Sequence, residues 1–268
     1  YGGQIVASLL IVGLLVGCGD SLTDGPYQTT GMKIGEVTDS GGIIWVRLTQ
    51  SKERVGMGAH VPDTLYIHPD TGELVQDPRW PATPEDWVPV VESPEGATID
   101  NIEGAVRDFT QQFIIIDLEP ATTYEIVTEG RNSGSEAISS SLTGQFKTAP
   151  LPDEPARVVF AAITGQAYPD QDAPNGGFRI YPSILELDPD FFVHTGDILY
   201  YDQWGKALDL ARWGWARMFS LPTNFEFHRQ LASYFMKDDH DTLSNDSWPS
   251  MQSEFMGEFT FAQGQAVF

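Results

Sequence analysis

The sequence predicts two domains, a small β-sandwich followed by an α/β domain. Three observations support this prediction. β-Rich segments recur over residues 31–148, a proline-rich linker follows at 149–156, and apolar strands alternate with helical segments over 157–268. Strands that alternate with helices are typical of βαβ units, in which a parallel sheet is covered on both faces.

The first domain is predicted from its β-rich segments and turns. These segments are GGIIWVRLT (41–49), FIIIDL (113–118), TYEIVTEG (123–130) and GQFKTAP (144–150). Glycines and prolines set off several of them, as expected for strands joined by turns. Residues 66–104 are rich in proline, glycine and acidic residues, which predicts a long and mostly irregular insertion.

A tyrosine motif makes the sandwich prediction more specific. Leu118, Pro120, Thr122 and Tyr124 have an L-x-P-x-T-x-Y spacing. This spacing resembles the turn before a late strand in fibronectin type III domains, where a tyrosine braces the corner. The resemblance implies a fibronectin-like sandwich over residues 31–148, with a structural or interaction role.

The second domain is predicted from three apolar strands with helices between them. The strands are RVVFAAIT (157–164), DFFVHTGD (190–197) and LASYFMKDDHD (231–241), in which SYFM is the expected buried part. The second half of 176–188 has a helical pattern. Residues 206–221 also have helical spacing, with Leu208, Ala211, Trp215 and Met218 on one face.

Polar residues follow each of these strands. The first strand ends in Thr164-Gly165-Gln166, the second in Gly196-Asp197 and the third in Asp238-Asp239-His240-Asp241. If the strands are parallel neighbours, their carboxyl ends meet at one edge, where ligands bind in such sheets. We therefore expect the Asp197 and Asp239 carboxylates within about 7 Å of each other, as in a two-metal centre.

A metal centre would relieve the repulsion among these carboxylates. Oxygen ligands with an imidazole suit Ca, Mn, Mg, Fe or Zn, and the residue types leave this choice open. The glycine before Asp197 is expected to allow close approach of backbone and metal.

Composition is consistent with a metal-dependent function. The 268 residues include 38 acidic and 15 basic side chains, which gives a formal net charge of −23. Such a surface repels nucleic acids and anionic membranes, so no nucleic-acid-binding surface is expected. It also repels a phosphate ester unless positive charge is concentrated locally, and bound cations could supply that charge.

The ordered pair GDILYYD (196–202) and KDDHDTLSND (237–246) resembles the PhoD-type alkaline phosphatase and phosphodiesterase family of metallophosphoesterases. This resemblance implies hydrolysis of phosphate mono- or diesters at two or more metal ions, iron and calcium in that family. It also implies a fibronectin-like N-terminal domain and a four-layer α/β domain. Residues 157–268 would then form an incomplete, N-terminal part of that α/β domain.

The family pattern implies a role for each matching residue. Asp197 would bridge the metals, Tyr200 would bind ferric iron, and Asp239 would bind the second metal. His240 would stabilise the phosphoryl oxygens or protonate the leaving group, and Asp241 would orient His240. The nucleophile would be a water activated by the metals.

Two departures from the family pattern keep alternatives open. Gly165 stands where PhoD-type enzymes have an iron-binding cysteine, and no histidine follows His240, although related enzymes have further C-terminal histidine ligands. We therefore expect a fragment that is inactive alone. The alternatives are a catalytically inactive binding module and a related sulfate-ester hydrolase.

An apolar run ends at the single cysteine. Residues 5–18 (IVASLLIVGLLVGC) form a run shorter than a comfortable membrane span of about 20 residues. They resemble a secretory signal truncated at its start, and residues 15–18 resemble a bacterial lipobox. The resemblance implies lipid attachment at Cys18, a tether at 19–30 and an extracytoplasmic location, periplasmic or at the cell surface. An uncleaved anchor helix is the alternative.

Other polar residues are weaker candidates. His194 lies in an apolar strand, where a structural role and a ligand role are equally expected. His228 is interpreted as an ordinary helix residue. Arg212 and Arg217 could clamp a phosphate, but their helical positions favour solvated side chains.

Overall fold

The computed structural model describes residues 25–49, 52, 54, 109–132 and 136–268, together with the backbone of four short strands. These four strands are β1 (Val6–Leu10), β2 (Leu15–Gly17), β5 (Leu65–Ile67) and β6 (Leu74–Gln76). Most of the predicted insertion at 66–104 and the predicted lipidation site at Cys18 lie outside the described residues. No helix among the described residues is long and apolar enough to cross a membrane.

Two sheets form the first part of the chain. One is antiparallel, in the order β3 (Met32–Gly35), β4 (Gly42–Arg47), β7 (Thr110–Ile115). In the other, β8 (Thr123–Asn132) pairs with the antiparallel β9 (Ile138–Lys147) and with the parallel β1 and β2. Residues near the end of β9 alternate between buried and exposed, as expected for a strand with one face against a core.

Both sheets contribute to one hydrophobic core. Its buried members are Met32, Ile34, Ile44, Val46, Ile115, Leu118, Tyr124, Ile126, Leu142 and Phe146. The Tyr124 hydroxyl accepts a hydrogen bond from the backbone N–H of Glu119 at 2.7 Å, so this tyrosine braces the preceding turn. The sheets and the turn have the arrangement expected of a sandwich, while its assignment as fibronectin-like remains a prediction.

The second part contains a parallel sheet of three strands in the order β10 (Phe160–Ile163), β11 (Phe191–His194), β12 (Ser233–Phe235). The helices are α1 (Ile180–Leu185), α2 (Tyr201–Trp204), α3 (Leu208–Phe219), α4 (Pro222–His228) and α5 (Phe261–Val267), with short 3-10 turns at Tyr168–Asp170 and Glu254–Met256. One helix separates β10 from β11 and three separate β11 from β12. These parallel βαβ units confirm the α/β prediction.

Burial differs from the sequence prediction at several apolar positions. Phe160 and Met236 are mostly exposed, although both were expected inside buried strands. They lie in or beside β10 and β12, which are the outer strands of the described sheet and therefore have a neighbour on one side only. Leu208 is also exposed, because it is the first residue of α3, whereas Ala211 and Met218 of the same helix are fully buried as predicted.

Candidate metal centre

Three polar segments meet at the carboxyl edge of the parallel sheet. We call this edge the rim and define it as residues 164–170, 195–202 and 236–247. Backbone N–H groups of Gly165 and Gln166 donate to the carbonyls of Gly196 and Asp197 at 3.0 and 2.8 Å, and Tyr201 N–H donates to the His240 carbonyl at 3.0 Å. These hydrogen bonds hold the three segments in fixed positions relative to one another.

Gly196 allows two of these segments to pack directly against each other. Its φ is +115°, and a Cβ at this position would lie 2.5 Å from the Cβ and 2.8 Å from the backbone nitrogen of Asp238. A side chain here would therefore clash with the chain that carries the third strand's acidic residues. The glycine was expected to make room for a metal, but it makes room for the neighbouring backbone.

Asp197, Asp239 and His240 form a group that we call the carboxylate–histidine cluster. Each offers one ligand atom, and these atoms all lie within 4.8 Å of one another. The separation of the two carboxylates is thus within the 7 Å expected from the sequence. All three residues are partly buried, and Asp197 has a left-handed φ of 56°.

The cluster has unused capacity for a cation. The Asp197 Oδ1 atom is buried and has no hydrogen-bond partner among the described residues. Burial raises the pKa of Asp197, and although His240 lowers it, the charges of Asp239, Asp238 and Asp202 raise it further. Hard oxygen donors that repel one another in this way suit a divalent or trivalent cation. The residues present therefore fit a metal ion.

Asp202, and not Asp241, holds the imidazole of His240. The Nδ1 atom of His240 lies 3.0 Å from Asp202 Oδ1, and both side chains are about 85% buried. Burial alone lowers the pKa of His240. The hydrogen bond and charge of Asp202, with Asp197 and Asp239, outweigh this effect and raise it to about 9. His240 is therefore an imidazolium at neutral pH when no cation is bound.

The prediction that Asp241 orients His240 is wrong. Asp241 is fully buried, and its Oδ1 accepts backbone hydrogen bonds from Ile198 and Leu199 at 2.9 and 2.5 Å. Its Oδ2 accepts from the Asp238 backbone at 3.3 Å. Burial raises the pKa of Asp241 to about 6, even though these hydrogen bonds favour the carboxylate. Asp241 thus fixes the segment after β11 to the segment after β12.

We expect Asp202→Asn to lower the pKa of His240 from about 9, because burial would then act without its main opposing charge. A histidine whose pKa is raised on folding stabilises the folded state. This stabilisation is complete below about pH 6.5 and is lost as the pH rises through 9. The variant should therefore lose stability on the acidic side of this window. The measurement is an NMR titration of the His240 ring in metal-free protein, with Asp246→Asn as the control, and an unchanged pKa would contradict the pairing.

Tyr200 lies beside the cluster. Its ring centroid is 4.6 Å from that of His240, and a Cβ on Gly165 would lie 3.9 Å from its hydroxyl oxygen. Burial, with the charge of Asp197 next in importance, raises the pKa of Tyr200 to about 12. Because residue 165 is glycine, it places no thiol near this hydroxyl, and oxygen and nitrogen donors surround the cluster instead.

The two weaker histidine candidates are both fully buried. His194 Nδ1 lies 3.3 Å from the Gly196 nitrogen, and burial lowers the pKa of His194 to about 4. His228 Nδ1 lies 2.9 Å from the Ser233 hydroxyl, among the rings of Phe219 and Phe227. Neither belongs to the cluster, and the expectation of an ordinary helix position for His228 is wrong because α4 packs this side onto the sheet.

The chain was compared with known proteins. No family model matches it, and no curated protein matches it. A solved structure described as the structure of PhoD matches with a TM-score of 0.58 and 15% sequence identity, over 93% of this chain and 47% of that one. The chain has a PhoD-like fold.

A second solved structure is similar at lower score. It is the purple acid phosphatase PPD1 from yellow lupin (Lupinus luteus) seeds, with a TM-score of 0.45 and 15% identity, over 88% of this chain and 40% of that one. The chain therefore spans less than half the length of either structure.

The sequence predicted the members of the cluster but not the residue that holds His240. Asp197, Tyr200, Asp239 and His240 come together as predicted, although their metal-binding roles remain predictions. Asp202 was missed as the partner of His240. Its position two residues after Tyr200, in the same segment as Asp197, is the signal that could have identified it.

Proposed function

We propose that the protein hydrolyses phosphate mono- or diesters with a metal-activated water. The observation that carries this proposal is the cluster of Asp197, Asp239 and His240, with ligand atoms within 4.8 Å at the carboxyl edge of a parallel sheet. The PhoD-like fold supports it, because two-metal phosphoesterases use such a cluster to hold cations on both sides of an in-line displacement.

Asp197 and Asp239 would hold the cations. Asp239 already accepts backbone N–H groups from His240 at 2.9 Å and from Asp246, which fixes its carboxylate while leaving lone pairs for a metal. The Tyr200 hydroxyl is a further oxygen donor beside them. Bound cations would neutralise phosphate charge and make a water nucleophilic at neutral pH. Iron and calcium follow from the family resemblance, and Mn, Zn or Mg would also suit these donors.

His240 would contribute positive charge and a proton. Its Nδ1–H is directed at Asp202 Oδ1, so the Nε2–H of the imidazolium remains to donate to a phosphoryl oxygen or to the leaving-group oxygen. In metal-free protein the pKa of about 9 keeps this proton on the ring at neutral pH, and the hydrogen bond to Asp202 would favour the protonated ring beside bound cations. A fixed cation at this position matters in a chain with a net charge of −23, which otherwise repels an anionic substrate.

The experiment that tests this function is hydrolysis of p-nitrophenyl phosphate and bis(p-nitrophenyl) phosphate by the full-length protein, because the present chain is expected to be inactive alone. The protein is first treated with a chelator and then supplied separately with Ca, Mn, Mg, Zn or ferric iron. We expect hydrolysis that requires added metal and that His240→Gln reduces by about 100-fold or more, within the range of general acid catalysis. Exposed Asp153 provides a control, since Asp153→Asn should leave the rate unchanged.

Two outcomes would favour the alternatives. No hydrolysis with any cation would contradict the proposal and favour a PhoD-like binding module. Faster hydrolysis of p-nitrophenyl sulfate than of either phosphate ester would favour a sulfate-ester hydrolase. The lipid anchor at Cys18 and the extracytoplasmic location remain predictions from the sequence.

A further inference from the structure

Arg217 is a buried cation outside the carboxylate–histidine cluster. It lies on α3 and is only 4% exposed, so the expectation of a solvated side chain is wrong. Its guanidinium stacks over the ring of Tyr168 at 3.7 Å and over the ring of Trp213 at 4.1 Å. Both rings therefore contact the central carbon of the guanidinium, around which its N–H groups lie.

Those N–H groups lack the partners that a buried charge normally has. Arg217 Nε and Nη2 are buried without a hydrogen-bond partner among the described residues, and the buried Tyr168 hydroxyl is unpartnered in the same way. Burial, opposed by Tyr168 and assisted by the charge of Arg54, lowers the pKa of Arg217 to about 10. The group is therefore charged at neutral pH, and a buried, unpaired charge is costly.

The surroundings of Arg217 are connected to the rim. Tyr168 lies two residues after Gln166, whose backbone N–H donates to the Asp197 carbonyl at 2.8 Å. Two residues span at most about 7 Å of backbone, so the Tyr168 ring belongs to the same short segment. Gln166 Nε2 is a further buried donor without a described partner. Unpartnered donors therefore occur at Gln166 and Tyr168, in one segment of the rim that is hydrogen-bonded to the Asp197 backbone.

We propose that Arg217 and Tyr168 form an oxyanion subsite that binds a phosphate-type group. The Nε and Nη2 edge of a guanidinium matches two oxygens of such a group, and the Tyr168 hydroxyl can donate to a third. The group is either a second anionic group of the substrate or free inorganic phosphate. Only the link to a substrate rests on the proposed function, because anion binding by Arg217 needs no catalysis.

The test uses the whole chain in chelator, so that the metal centre does not contribute. Inorganic phosphate is the probe, and binding is measured by calorimetry and by the change in Tm. We expect a Tm rise of about 5 °C at a phosphate concentration 100 times the Kd. Arg217→Met should bind phosphate at least tenfold more weakly, and Tyr168→Phe, which keeps the stacked ring, should weaken binding a few-fold. Arg212→Met, on the same helix, is the control and should retain the wild-type response.

The Tm without phosphate separates this role from a structural one. Removing an unpaired buried charge should leave that Tm unchanged or raise it. If Arg217→Met instead lowers the Tm and keeps the full response to phosphate, Arg217 only packs between aromatic rings and the proposal is overturned. Equal phosphate binding by wild type and Arg217→Met would overturn it as well.

A second arm distinguishes the two sources of the anion in the metal-loaded full-length protein. A subsite for substrate predicts a higher KM for a diphosphorylated ester in Arg217→Met, with little change for p-nitrophenyl phosphate. A subsite for free phosphate predicts weaker inhibition by phosphate and no change in either KM. Failure of all hydrolysis would remove the proposed function, while the metal-free binding result would still decide the subsite.

Discussion

Gly196→Ala is expected to destabilise the protein by about 3 kcal/mol or more and to abolish binding of cations at the cluster. A side chain at φ +115° is strained, at about 1–2 kcal/mol for left-handed backbone, and overpacking adds roughly 1–3 kcal/mol. The added Cβ would lie 2.5 Å from the Asp238 Cβ. Neither segment can yield easily, because buried Asp241 ties both together.

The measurement is the free energy of unfolding by denaturant, with calcium or manganese binding followed by calorimetry. Gly257→Ala is a matched control. Gly257 also has a positive φ, +59°, but a Cβ there would have no atom within 4 Å. Its cost should therefore be limited to backbone strain of about 1–2 kcal/mol, with cation binding intact. Equal destabilisation by the two substitutions would show that the close approach at Gly196 has no energetic consequence.

Asp197→Asn should lower the affinity for metal and raise the stability of the metal-free protein. The amide keeps the shape of the carboxylate but removes the charge that a hard cation requires. Loss of a group that only supports a ligand costs about 10- to 100-fold in affinity, so loss of a ligand's charge should exceed about 100-fold. In metal-free protein the substitution should raise the Tm at pH 7.

The sign of the stability change follows from the raised pKa of Asp197. A carboxyl group with a raised folded-state pKa contributes stability that is full below its ordinary pKa and is lost as pH rises through the folded value. Ionisation of Asp197 is therefore destabilising in the folded metal-free protein, and a neutral amide removes that effect. Calorimetric titration with manganese and thermal unfolding in chelator measure the two effects.

Asp246→Asn is the control for Asp197→Asn because it removes the same charge from an exposed side chain on the rim. Its effect on affinity should stay within about threefold, as for a screened surface charge. If both variants lose the same affinity, the rim attracts cations only through its overall charge. Unchanged affinity in Asp197→Asn would show that Asp197 is not a ligand.

Local sequence patterns were sufficient to predict the parallel sheet and the meeting of Asp197 with Asp239. The apolar strands at 157–164, 190–197 and 231–241 are separated by helical segments, and parallel strands necessarily bring their carboxyl ends to one edge. The spacing around Tyr124 likewise predicted the brace that its hydroxyl forms with the Glu119 backbone. In these cases the interacting groups lie close in sequence or at equivalent strand ends.

The partners of individual side chains were less predictable. Asp241 follows His240 directly, yet its carboxylate turns inward to the backbone of Ile198 and Leu199, and Asp202 from another segment reaches the imidazole instead. Which aspartate reaches the imidazole depends on which segments pack against the turn after β12. Spacing within one segment carries no information on that choice.

The sequence by itself therefore determined the alternation of the three parallel strands with helices, the edge where the polar segments meet, and the acidic and imidazole donors placed there. Only the tertiary structure decided that Asp202 holds His240, that Gly196 admits the Asp238 backbone, and that Arg217 is buried without a hydrogen-bond partner among the described residues. The physical reason is that periodicity sets the direction in which a side chain leaves its own element. What that side chain then contacts, and whether water is excluded from it, depends on the packing of elements distant in sequence.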